Sequence, residues 1–161
     1  METNPSTEGE SAFEISVCKE TDADDVDPLQ LTRAIEFTLT EHGRDCCSVS
    51  IALVDDAAMS KLHDEFMGDA SPTDVLTFDL ADNPGDPVEG HIVISVDTAE
   101  RESRRRNLPR AAEVLLYAVH GTLHLLGYDD HDEHHAQAMH AQEDRILGAL
   151  GIGPVYGVEP S

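Results

Sequence analysis

The alternation of apolar and polar positions divides the chain into short strands and helices. FEISVCKE (13–20) alternates with a period of two and predicts a strand, followed by the acidic turn TDADDVD. Pro28 opens a helix to about His42, and Gly43 stops it. SVSIALV (48–54) reads as a second strand. DDAAMSKLHDEFM (55–67) reads as a helix ended by Gly68. DVLTFDL (74–80) and GHIVISVD (90–97) predict two more strands joined by a Pro/Gly/Asp loop, and from residue 98 onward the chain is mostly helical. Residues 1–12 are rich in Glu, Ser, Thr and Pro, have almost nothing to bury, and are expected to form a disordered tail.

The clearest element starts near Pro109. Ala112, Leu115, Leu116, Val119, Leu123 and Leu126 recur at steps of three and four, which gives one apolar stripe for a core. His120 and His124 fall off that stripe, one turn apart on a neighbouring face, with Glu113 and Tyr117 on the turns before them. Gly127 is the natural stop. A last helix, about His134 to Leu150, carries Met139, Ile146, Leu147 and Leu150 on its apolar side. Strands and helices first, then helices alone, predict an α+β fold: a small mixed sheet of about four strands packed with helices. At 161 residues this is one domain, spanning 13–156.

The histidine-bearing stretch, HGTLHLLGYDDHDEHH (120–135), holds five of the nine histidines. Two histidines at i, i+4 on a helix place their Cβ atoms about 5–6 Å apart, so both imidazoles can meet one ion. A glycine three residues later lets the chain reverse, and a donor three residues further on returns to the same ion. His120, His124, Gly127 and Asp130 have this spacing, that of a zincin-like metal helix, and His131 comes one residue later. Asp130 is the third ligand in register, while His131 competes through its imidazole. Gly121 occupies the slot where a metallopeptidase carries its general-base Glu, which argues against peptide hydrolysis. His134, His135 and His140 read more simply as a polar helix face.

Composition narrows the classes further. The chain is 40 % hydrophobic but only 4 % aromatic with no Trp, so Leu, Ile, Val and Ala must build the core. Cys18, Cys46 and Cys47 form neither a disulfide framework nor a paired metal spacing and read as reduced thiols. No apolar run approaches a membrane span, and the polar, acidic start lacks the features of a signal peptide, so a cytoplasmic protein without a membrane partner is expected. Ten basic against 33 acidic residues give a formal charge of −23, which opposes non-specific nucleic-acid binding. Yet Arg101, Arg104, Arg105, Arg106 and Arg110 gather half of the positive charge just before the histidines. They read equally as an anion-binding patch or as a solvated helix end.

These residues also resemble a known family. HGTLHLLGYDD is similar to the H-G-x-L-H-L-x-G-Y-D-H signature of the YbeY family, bacterial endoribonucleases of ribosomal RNA maturation. SPTDVLTFDL (71–80) resembles the family's P-T-D-V-L-S-F segment, EGHIVIS (89–95) its G-D-I-x-I-S strand, and MHAQEDRILGALG its last helix. The likeness covers about residues 48–150. It implies one Zn2+ per chain, held by His120 and His124, with the family's third histidine falling on Asp130 and His131 displaced by one. It further implies single-strand-specific RNA cleavage, 3′-end processing of small-subunit (16S) ribosomal RNA, and ribosome quality control. The implied partners are ribosomal RNA, the small ribosomal subunit, ribosomal proteins and a ribosome-associated GTPase. Two positions depart from the pattern: Met67 stands where the family usually has an Arg before the loop glycine, and His91 replaces the Asp of the G-D-I strand.

The expected chemistry is metal-assisted phosphodiester cleavage, with Arg104, Arg105 and Arg106 as phosphate contacts. No residue identifies itself as the general base; Asp74 and a ribose 2′-hydroxyl are both open. The rivals are a non-catalytic ribosome-associated factor whose metal is structural and, disfavoured by Gly121, a zinc metallopeptidase.

Overall fold

The computed structural model describes residues 12–69, 73–83 and 85–152. The expected tail up to Ser11, the segment 153–156, and Ser71 and Pro72 of the SPTDVLTF stretch lie outside these residues. Among the described residues four strands, β1 (Phe13–Lys19), β2 (Cys47–Val54), β3 (Val75–Asp79) and β4 (Val88–Ser95), form one mixed sheet in the order β1-β2-β4-β3. β1, β2 and β4 run parallel, and β3 pairs antiparallel with β4 as an edge strand. Among the described residues five helices accompany them: α1 (Pro28–Glu41), α2 (Asp56–Met67), α3 (Val96–Arg106), α4 (Arg110–Leu125) and α5 (Glu133–Ala149). The α+β class expected from the sequence is the one observed. Among the described residues no helix is long and apolar enough to cross a membrane.

The period of two sorts the side chains of each strand between the sheet's faces. Val49, Ile51 and Leu53 of β2, with Ile92 and Ile94 of β4, pack into the main core beneath α1 and α4. Val54, Val93, Leu76 and Met59 of α2 form a smaller cluster on the other face. The stripe of α4 is almost wholly buried, and α5 closes over it with Met139, Ile146 and Leu147. Gly121 lies where α4 crosses β4: a Cβ there would sit 2.9 Å from Ile92 Cγ2, so a bare backbone lets the helix lie this close to the sheet.

The bounds of the fourth strand differ from the sequence reading. The fourth strand starts at Val88, paired with Cys47, and stops at Ser95 rather than at residue 97. Ser95 caps α3, its Oγ accepting a hydrogen bond from the Thr98 N–H at 3.2 Å, so Val96 and Asp97 become the first helical turn.

Around that cap, Asp56 ties α2 to α3. Its carboxylate accepts from Ser95 Oγ (2.7 Å), Thr98 Oγ1 (3.1 Å) and Arg101 Nη1 (2.8 Å), and its N–H donates to Asp97 Oδ2 (2.8 Å). Burial opposes its charge, but Arg101 and the two hydroxyls outweigh that and lower its pKa. Replacing Asp56 by Ala is expected to cost about 2 kcal/mol in urea unfolding at neutral pH. The gap should close as pH falls below the usual carboxylate value of 3.8, because the contribution of a lowered pKa is lost once the folded carboxylate takes up its proton.

Candidate metal centre

α4 presents His120 and His124 one turn apart, and the turn after it brings Asp130 back to them. The reversal is a Schellman-type end: Gly127 takes φ +104°, its N–H donates to the His124 carbonyl (3.0 Å), and the Tyr128 N–H donates to the Leu123 carbonyl (3.0 Å). His120 Nε2 lies 3.8 Å from Asp130 Oδ2, and His124 Nε2 lies 3.9 Å from Asp130 Oδ1. One donor atom from each of the three side chains falls within 4.8 Å of the others.

The partners of the other ring nitrogens decide what faces the centre. His120 Nδ1 is 2.5 Å from Glu143 Oε2, and His124 Nδ1 is 3.0 Å from the Tyr128 carbonyl oxygen. A carbonyl only accepts, and so does an ionised carboxylate, so both Nδ1 atoms carry protons and donate. In the neutral rings that leaves the two Nε2 atoms as lone-pair donors facing each other at 3.1 Å, with the rings at 85°. Two lone pairs that close repel unless a cation or a proton lies between them. Two nitrogens bound to one tetrahedral zinc at about 2.0–2.1 Å stand roughly 3.3 Å apart, so the pair is already spaced for an ion. Asp130, the more exposed of the three, has the freedom to close the remaining distance.

Burial opposes the charged form of His120, but its hydrogen bond to Glu143, with the charges of Glu143, Asp74 and Asp130, raises the pKa above the usual value. Glu143 is fully buried and also takes His140 Nδ1 at 3.2 Å through its other oxygen. A buried carboxylate behind a ligand imidazole fixes its tautomer and orientation. The sequence reading passed over Glu143, although a signal was there: with Met139, Ile146, Leu147 and Leu150 it falls on the apolar stripe of α5, where an acid needs a partner.

Other candidates stand elsewhere. His131 is exposed, its N–H donates to Asp129 Oδ1 (3.3 Å), and it is not part of the three-residue group. His134 and His135 are exposed on the first turn of α5, where His135 Nδ1 bonds Asp132 at 2.7 Å. Met67, 60 % exposed, ends α2. His91 lies on the outer face of β4 and bonds Ser50 Oγ, across the sheet from α4. Asp74 anchors the start of β3: its carbonyl takes the Ser95 N–H (3.0 Å) and its Oδ1 the Val75 N–H (2.8 Å).

The arginine cluster divides. Arg101 and Arg110 pair with Asp56 and Asp25, linking elements distant in sequence. Arg104 and Arg105 are largely exposed, each paired with an acid on α3, Glu100 and Glu102. Arg106 turns inward, its Nε 3.2 Å from Glu113, which is wholly buried. Of the three expected phosphate contacts, Arg104 and Arg105 are the largely exposed ones, while Arg106 is partly buried against Glu113.

A family model described as Endoribonuclease YbeY matches residues 16–151. This chain belongs to the YbeY family. A relative from Carboxydothermus hydrogenoformans named Endoribonuclease YbeY is 42 % identical over 122 residues, covering 76 % of this chain and 85 % of the relative. A second of that name from Ruegeria pomeroyi is 40 % identical over 145 residues, covering 79 % and 88 %. The fold is similar to a solution structure from Thermotoga maritima, with a TM-score of 0.57 at 23 % identity over 92 % of this chain and 98 % of that one. Within the YbeY family, then, this chain carries Asp130 where the signature quoted above has its third histidine.

Proposed function

We propose that this protein is a zinc-dependent endoribonuclease that cuts single-stranded RNA, acting in the cytoplasm on the 3′ end of small-subunit ribosomal RNA and in ribosome quality control. Family membership supports the reaction class, and the paired Nε2 atoms of His120 and His124 beside Asp130 support the metal. His120, His124 and Asp130 are the ligands in this reading. When bound, zinc supplies Lewis-acid polarisation of a phosphoryl oxygen at a site whose three protein ligands leave one position open.

The chain's own residues do the rest. Glu143 and the Tyr128 carbonyl hold the imidazoles with Nε2 forward. Arg104 and Arg105, themselves largely exposed, exchange their partners Glu100 and Glu102 for phosphates, an electrostatic contribution that falls steeply with salt. Arg106 serves the ion pair with Glu113 and leaves the phosphate-binding set. Gly121 weighs against a peptidase, because the position is packed on Ile92 and an acid there has no room.

Metal content by mass spectrometry, paired with cleavage of a single-stranded fragment of small-subunit ribosomal RNA before and after chelation, tests this reading. About one zinc per chain is expected, with cleavage lost on chelation and restored by zinc. Zinc without cleavage in any preparation would favour a ribosome-associated factor with a structural metal, a reading to which Met67 and the acidic surface lend weight. Absence of bound metal would sink the site.

A further inference from the structure

The turn that carries Asp130 also carries the carbonyl that orients His124, so both depend on where Tyr128 sits. Gly127 before it is exposed with a left-handed backbone, and Asp129 and Asp130 after it lie at or near the surface. Backbone bonds from the Gly127 and Tyr128 N–H groups to the His124 and Leu123 carbonyls hold the start of the turn. Tyr128 supplies a contact that reaches across the molecule: its hydroxyl is 3.0 Å from His42 Nε2, 86 residues away, and the two rings meet edge to face with centroids 5.5 Å apart.

His42 is itself firmly placed. It is the C-cap of α1, whose Leu31, Ala34, Ile35 and Leu39 are wholly buried, and its N–H donates to the Leu39 carbonyl at 3.1 Å. Its Nδ1 lies 2.8 Å from the Thr38 carbonyl, which only accepts, so Nδ1 carries the proton and donates. In the neutral ring Nε2 is then the lone pair, and the Tyr128 hydroxyl donates to it.

We propose that His42 and Tyr128 are positioning residues for the metal centre, their hydrogen bond clamping the Gly127–Asp130 turn to the core-anchored end of α1. The clamp holds two groups at once: the Tyr128 carbonyl that receives His124 Nδ1 at 3.0 Å, and Asp130, two residues further on, facing both imidazoles. The assignment rests on the reading of His120, His124 and Asp130 as metal ligands. It adds that the residue capping α1, outside the signature, sets how well they bind.

The test is zinc affinity by chelator competition on full-length wild type, Tyr128→Phe, His42→Ala and the double variant, with the absorption spectrum of the cobalt-loaded proteins as a second readout. Tyr128→Phe keeps the ring that packs against the core and removes only the hydroxyl, so it should fold; His42→Gln offers an amide oxygen as a replacement acceptor. Each of Tyr128→Phe and His42→Ala is expected to weaken zinc binding about three- to tenfold, below the 10- to 100-fold typical of a group bonded directly to a ligand. The double variant should be no worse than the weaker single one, because both remove the same bond. His42→Gln should recover part of the loss, and the cobalt spectrum should change in the deficient variants. Affinity and spectrum unchanged in Tyr128→Phe would overturn the clamp while leaving the site intact, whatever happens to melting temperature. A wild type that binds neither metal would overturn the site and the clamp together.

Discussion

His124→Ala is expected to purify as a folded protein without zinc and with no detectable cleavage of single-stranded RNA. The substitution leaves two donors, His120 and Asp130, and removes the Nε2 that stands 3.1 Å from that of His120. The fold should survive, because the His124 side chain is partly exposed and the stripe that buries α4 does not include it. Glu143→Gln is the informative companion. It keeps all three donor atoms but takes the charge from the group behind His120, and should weaken zinc by about 10- to 100-fold without abolishing the site. Equal zinc content in wild type and His124→Ala would remove the basis for this metal centre.

Arg106→Ala is expected to destabilise the protein by about 3–5 kcal/mol near neutral pH, measured by urea unfolding, because it strips the cation from a buried carboxylate. Burial already raises the pKa of Glu113, resisted by the Tyr117 hydroxyl beside it and the charge of Arg106. An acid whose folded pKa exceeds the unfolded value of 4.5 loses stability as pH rises through that interval, since the folded protein holds the proton longer. Without Arg106 the folded pKa climbs further and the interval widens. The deficit should therefore be small at pH 4.5 and below and grow toward neutrality. Arg104→Ala and Arg105→Ala, on exposed ion pairs, should change stability by less than about 1 kcal/mol. They should instead weaken RNA binding and flatten its salt dependence. Similar stability losses for all three variants would contradict the inward placement of Arg106.

The arginine run shows where one-dimensional reading stops. Five arginines within ten residues read as one patch, yet a helix turns each successive side chain by about 100°. Arg104 and Arg105 face water, while Arg106 meets an acid from beyond the Asn107–Pro109 break between α3 and α4. The histidines show the opposite. Their spacing and the turn glycine are local in sequence, so His120, His124 and Asp130 were legible before any coordinates. Asp130 and His131 differ by one residue of turn, and the observed turn brings Asp130 to the imidazoles and leaves His131 in solvent.

By itself the sequence determined the strands and helices, the α+β class and the spacing of the candidate ligands, because these depend on periodicities of two and 3.6 and on separations of three and four residues. Only the tertiary structure decided the strand order, with β4 between β2 and the antiparallel edge β3, and which arginine meets a buried acid. It alone brought Glu143 behind His120 and His42 against Tyr128, partners 23 and 86 residues away. Contacts at that separation are set by packing of the whole core, where one buried acid or one hydroxyl takes the partner that the fold delivers.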